Sequence, residues 1–177
     1  MRFIILLTYN DMEKDRIHLG MMIKGRFDEA GHKVAWLAKK IAYRRGNIYK
    51  IFARSSIDTA LLLTISVALK KNFFEHLSAY FQEMTNGAEG KAESGYKASL
   101  KKLPIGELIM NKVHEEGLKI EWLAQKLECD RSNIYHIFSR HSIDAWQLMS
   151  ISLALNTNFF EHFSELYKTM VGDVGLY

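Results

Sequence analysis

VAWLAKKIAYRRGNIYKIFARSSIDTALLLTISVALKKNFFEHLS (Val34–Ser78) and IEWLAQKLECDRSNIYHIFSRHSIDAWQLMSISLALNTNFFEHFS (Ile120–Ser164) stand 86 residues apart and match without a gap at 25 of 45 positions. Two unrelated amphipathic segments share a pattern of apolar residues, not a run of identities of this density. The chain therefore holds one unit written twice. Weaker matches continue upstream, where Ile23 pairs with Ile109 and Gly31 with Gly117. The repeat divides the chain into an N-terminal extension (1–16), a first unit (17–84), a linker (85–102), a second unit (103–170) and a C-terminal tail (171–177). A unit of about 65–70 residues is of a size that can fold alone, though marginally.

The apolar period inside each unit is helical. In the second unit Ile105, Leu108, Ile109 and Val113 recur at a 3–4 spacing after Pro104, and Gly117 ends that helix. A second helix, about Ile120–Leu127, buries Leu123, Ala124 and Leu127. A third, RSNIYHIFSR, starts from Asp130 as N-cap and turns Ile134, Ile137 and Phe138 inward. Ser142 is the expected cap of a fourth helix, with Asp144 in its first turn, and Asn158 that of a fifth, with Glu161 close to a capping box. The first unit repeats the plan with Ser56 and Asn72 as caps. No segment alternates with period two strongly enough to mark a strand. The expected fold is all-α.

Short helix, three-residue turn, short helix is helix-turn-helix geometry. Leu37-Ala38…Ile41 and Leu123-Ala124…Leu127, then Ile48 and Ile134, then Leu62…Ile65…Ala68-Leu69 and Leu148…Ile151…Ala154-Leu155, then Phe73-Phe74 and Phe159-Phe160, follow one another in the same order twice. In this order they resemble the phage-repressor/Cro-type (Xre-type) DNA-binding family, over about three quarters of the chain. The resemblance implies two tandem five-helix repressor-like helix-turn-helix domains. Two departures stand out. The turn after the second helix, where the family carries Gly because the backbone prefers positive φ, holds Ala42 and Glu128, so a reshaped turn is expected. The next position holds Tyr43 or Cys129, the latter expected as a buried small hydrophobe. In the first unit Arg44 replaces the capping residue.

The resemblance further implies that the third helix of each unit enters the major groove of double-stranded DNA. The base-edge candidates are then Arg45, Gly46, Asn47 and Lys50 in the first unit, and Arg131, Ser132, Asn133 and His136 in the second. A helix-start hydrogen bond is an equal alternative for the two Asn. Lys33, Lys40, Tyr49 and Arg54, with Lys119, Lys126, Tyr135 and Arg140, are the phosphate candidates. For the two Tyr, packing against the first helix stands as an equal alternative. The implied activity is that of a transcriptional regulator of bacterial or phage type. The alternative is a protein-interaction or antitoxin-like adaptor in which one or both units no longer read DNA, with a homodimer or protein partner met through the second unit.

Composition agrees with a folded protein and excludes several classes. Of 177 residues, 48% are hydrophobic and 25% charged, with one Cys and one Pro. One Cys leaves no disulfide framework. The FIILLTY run (Phe3–Tyr9) is far shorter than the roughly 20 residues of a membrane span and lacks a signal-peptide cleavage site, so a cytoplasmic protein without a membrane partner is expected. GAEGK (Gly87–Lys91) lacks phosphate-loop spacing. No carboxylate pair, HExxH or Ser/His/Asp set is present, so no catalytic residue, metal site or cofactor is expected. His76 and His162 recur beside Glu75 and Glu161, but adjacent positions on one helix do not converge on an ion. Trp36 and Trp122 recur as core or edge packing.

The formal charge of +4 hides a division. Residues 17–84 carry 11 Lys and Arg against 5 Asp and Glu, whereas 103–170 carry 6 against 9. Phosphate neutralisation supplies most of the non-specific affinity for DNA, so the units are expected to bind unequally. Their different base-edge candidates imply an operator with unlike half-sites. A flexible linker of about 20 residues reaches about 25 Å, which allows inverted and direct half-sites alike.

Overall fold

The structure, a computed structural model, describes residues 17–85, 93–94 and 104–174. The N-terminal extension, most of the linker and the last three residues of the tail lie outside the described residues. The chain is all-α in character, with ten helices among the described residues. The first half holds α1 (Leu19–Glu29), α2 (Val34–Lys40), α3 (Arg45–Phe52), α4 (Thr59–Leu69) and α5 (Phe74–Thr85). The second half repeats them as α6 (Ile105–Glu115), α7 (Ile120–Lys126), α8 (Arg131–Phe138), α9 (Ala145–Ala154) and α10 (Phe160–Val174). One feature was invisible to periodicity: Glu93–Ser94 (β1) pairs in parallel with Thr157–Asn158 (β2). Two residues are too few to display an alternation, so the expectation of no strand failed here.

The buried face of each helix is the one the apolar spacing selects. Ile23, Leu37, Ile48, Leu62 and Ile65 are fully buried in the first half, as are Ile109, Leu123, Ile134, Leu148 and Ile151 in the second. Leu127 is only partly buried. A close backbone approach within each half depends on glycine. Gly20 opens α1 against the end of α3, its N–H donating to Arg54 O at 2.9 Å, and Gly106 repeats this against Arg140 O at 3.0 Å. A Cβ on Gly20 would stand 2.4 Å from Ile51 O, and one on Gly106 2.4 Å from both Ile137 O and Phe138 O. These glycines also stand 86 apart. They let a helix N-terminus approach the carbonyl end of another, an arrangement in which the two helix dipoles attract.

The caps of α4 and α9 differ from expectation. Asp58 and Asp144 are the N-caps: Asp58 accepts from the Ala60 N–H, and Asp144 from those of Trp146 and Gln147. The hydroxyls expected to cap are used elsewhere. Ser56 donates to Asp144 at 2.6 Å and Ser142 donates to Asp58 at 2.8 Å, each reaching into the other half. Alongside them the Thr59 N–H donates to Ile143 O (2.9 Å) and the Ala145 N–H to Ile57 O (3.0 Å), so Asp58 and Asp144 face each other in an antiparallel bridge. Equivalent residues opposed in an antiparallel bridge are related by a local two-fold axis. The contact is thus isologous, as in a C2 dimer, but within one chain. The fifth helices extend it: α5 packs on α10 and α9, and α10 on α5 and α4. Phe74 stacks on Phe163 at 4.9 Å. Buried residues of both halves form one continuous core, whereas a flexible tether would leave two.

The symmetry is approximate. Trp146, buried, donates its indole N–H to Ser55 O at 3.2 Å and meets Tyr80 edge-on, while its counterpart Ala60 is exposed. Thr59, where the second half has Ala145, accepts an extra bond from the Ile143 N–H. His162 is buried, against an exposed His76. Among the described residues no helix is long and apolar enough to cross a membrane.

Two consequences can be measured. Gly106→Ala must push α6 off α8 and should cost about 3 kcal/mol of stability in urea unfolding. Burial pushes the His162 imidazole down to about 4. The unfolded chain, with an ordinary His, takes up its proton first. Stability should therefore be full above about pH 6.5 and fall by about 2–3 kcal/mol as pH drops toward 4. His162→Gln should flatten this slope between pH 6.5 and 4.5.

Candidate nucleic-acid interface

The turn between α2 and α3 is built by backbone hydrogen bonds. The Tyr43 N–H donates to Ala38 O at 2.8 Å, and the Cys129 N–H to Ala124 O at 3.0 Å in the second half. These bonds close a Schellman-type cap, which needs the residue before them in the left-handed region. Ala42 (φ 57°) and Glu128 (φ 51°) supply it. The turn is therefore not reshaped: the ordinary turn forms and two side chains bear its strain. Arg44 and Asp130 then take extended conformations as N-caps of α3 and α8, neither with a side-chain capping bond. For Asp130 the position is as expected and the bond is not.

Ile48, Ile51 and Phe52 of α3, and Ile134, Ile137 and Phe138 of α8, anchor these helices in the core. The opposite face is outward. All eight base-edge candidates, Arg45, Gly46, Asn47, Lys50, Arg131, Ser132, Asn133 and His136, are exposed. The side chains of Asn47 and Asn133 have no hydrogen-bond partner among the described residues, so the helix-start bond is not formed. Tyr49 and Tyr135 are 60% and 59% exposed, with much of each ring open to solvent. Lys33, Lys40, Arg54, Lys119, Lys126 and Arg140 are exposed too. Trp36 and Trp122 are half-buried beneath this face, Trp36 stacked on His32 at 3.7 Å and Trp122 under Lys126. Cys129 is only partly buried, packed against the core, and that partial burial, then the charge of Asp130, pushes its thiol up. Among the described residues no three His, Cys, Asp or Glu side chains are grouped to hold a metal ion.

The two faces differ sharply in charge. Residues 31–57 carry seven Lys and Arg and no carboxylate, while 117–143 carry four Lys and Arg with Glu121, Glu128 and Asp130. Besides Lys126 over Trp122, one of those cations is ion-paired: Arg131 Nη1 donates to Glu121 Oε1 at 2.8 Å across the turn. A hydrogen bond to its own backbone N–H, then Arg131, hold the Glu121 carboxyl below its ordinary value. The first-half counterpart of Glu121 is Ala35, and among the described residues no carboxylate pairs with Arg45. Sequence reading counted the charges but missed this pair. Glu121 and Arg131 lie ten residues apart, and only the folded turn brings them together.

Comparison with models of known protein families, with curated proteins and with solved structures gives no match.

The strained turns carry their own prediction. Ala42→Gly and Glu128→Gly relieve the left-handed backbone at an entropic cost smaller than the gain. Each should stabilise the chain by up to about 1 kcal/mol, or raise Tm by about 2–4 °C in a thermal melt.

Proposed function

We propose that this chain is a sequence-specific double-stranded-DNA-binding protein, a transcriptional regulator of bacterial or phage type. In this reading its halves are two repressor-like five-helix helix-turn-helix units, with α3 and α8 as the groove-reading helices. The observation that carries the reading is the carboxylate-free basic face of α2 and α3, ending in the unpaired Arg45, Asn47 and Lys50. Such a face offers phosphate contacts around a set of donors free to meet base edges. The resemblance to Xre-type repressors supports the same assignment. No reaction is proposed for the protein.

The reciprocal interface supports one of the two half-site orientations that linker length allows. A two-fold relation between the halves turns their reading helices in opposite senses along a duplex, which calls for inverted half-sites about one helical turn apart. Since Arg45, Gly46 and Lys50 answer to Arg131, Ser132 and His136, the half-sites should differ in sequence. One chain occupies both.

Selection from a random duplex library with the intact chain tests this. The expected product is an imperfect inverted repeat bound by one chain, with affinity falling steeply as salt rises. Arg45→Ala with Lys50→Ala should weaken it by about tenfold or more. A direct repeat would overturn the geometry, and a perfect palindrome the inequality of the halves. The carboxylates of the second face favour the adaptor reading, with its protein partner at that half. Failure to bind duplex DNA at low salt would decide for it.

A further inference from the structure

The reading helix of the second half borders a cleft. Asn133, His136 and Arg140 recur at spacings of three and four along α8 and just past its end, which sets them on one face, and together they line a cleft toward α9. Gln147 of α9 and the capping carboxylate of Asp144 line it from the other helix, and Leu127 and Ile137 supply the apolar part of the lining. The cleft holds about 440 Å³, within the roughly 300–1,000 Å³ of sites that take small molecules. Among the described residues the side chains of Asn133, His136, Arg140 and Gln147 have no hydrogen-bond or ion partner, so their bonding capacity is left for solvent or a ligand. The first half does not repeat this lining: Tyr43, Lys50 and Leu61 stand where the second half has Cys129, His136 and Gln147.

We propose that this cleft is an effector site for a small organic carboxylate, and that its occupancy weakens the hold of the second half on DNA. Arg140 is the one permanent cation of the lining. Its planar fork meets a carboxylate through two parallel hydrogen bonds. The amides of Asn133 and Gln147 can hold a further polar atom, and Leu127 and Ile137 accept an apolar body. Asp144 on the same lining opposes a second negative charge, so a monoanion fits where a phosphate dianion does not. The sign of the effect follows from charge and position. Residues 117–143 carry four Lys and Arg with three carboxylates. A bound carboxylate adds another negative charge there, occupies Arg140, a phosphate candidate, and sits against the base-edge candidates Asn133 and His136. Each of these opposes a polyanion. The site stands on the cleft alone, whereas its effect on DNA rests on the reading of the chain as a duplex-DNA binder.

Cys129 lines the same cleft and is the only cysteine of the chain, so its alkylation by iodoacetamide reports occupancy there. Benzoate and hexanoate should each protect Cys129 of the intact chain saturably, with Kd on the order of 1 mM or tighter. Benzamide, hexanamide and inorganic phosphate at the same concentration should not. Arg140→Gln should raise that Kd by about tenfold or more. Gln147→Leu, which places the first-half residue at this position, should also weaken protection and guards against a loss caused by misfolding. In fluorescence anisotropy at matched ionic strength, saturating benzoate should weaken binding to the selected duplex by about three- to tenfold and lower the salt slope by about one unit. The duplex should weaken benzoate binding by the same factor, as linkage requires. No protection by either carboxylate, or equal protection by the amides, would overturn the site. Protection with no change in duplex affinity would overturn its regulatory role. Absence of duplex binding by the parent chain at low salt would overturn the DNA reading itself, and the protection result then decides the site separately.

Discussion

The exchange of hydroxyl donors between the halves, Ser56 to Asp144 and Ser142 to Asp58, is the constraint on which the rest depends. Each aspartate caps a helix of its own half and accepts from the other half at the same time. Capping and docking therefore share atoms. An N-cap of this kind is worth about 1 kcal/mol, and here losing it also loosens the contact across the local axis. The bridge at Asp58 and Asp144 sets the start of α4 and α9, the fifth helices pack across it, and the buried aromatics close a single core around it. The outward faces of α3 and α8 inherit their mutual orientation from this one junction.

Much of the architecture was legible in the sequence because it is written in local signals. Helical spacing located all ten helices, and positive-φ glycines such as Gly117 marked where helices stop. The repeat established that there are two halves. What escaped was relational. Ser142 lies at a cap position in sequence, but a hydroxyl two residues before a better acceptor can turn to a partner that linear reading does not place there. Gly20 and Gly106 were overlooked although they share the 86-residue offset, because a glycine's meaning lies in what its missing Cβ would strike. The left-handed Ala42 and Glu128 escaped for a third reason. Intrinsic preference argued against that backbone, and the closing hydrogen bonds from Tyr43 and Cys129 outweighed it.

The candidate interface divides the same way. The exposure of the outward residues of α3 and α8 follows from their spacing against Ile48 and Ile134, so sequence reached it. The state of each charge on that surface did not follow. Arg45 and Arg131 hold equivalent positions, and the ion pair that engages one of them comes from a residue on the preceding helix, ten positions away. Net charge also understated the contrast, since acidic residues outside 31–57 diluted a stretch that contains none.

The isologous contact has a further meaning because it is made within one chain. In a homodimer every substitution appears twice, on both sides of the axis, and must suit both places. Here Trp146 is buried where its counterpart Ala60 is exposed, Thr59 offers a hydroxyl where Ala145 has none, and Glu121 pairs with Arg131 where Ala35 has no charge to offer Arg45. Fusion keeps the geometry of a symmetric pair while releasing it from the requirement of sameness. The two halves are free to become different parts of one instrument.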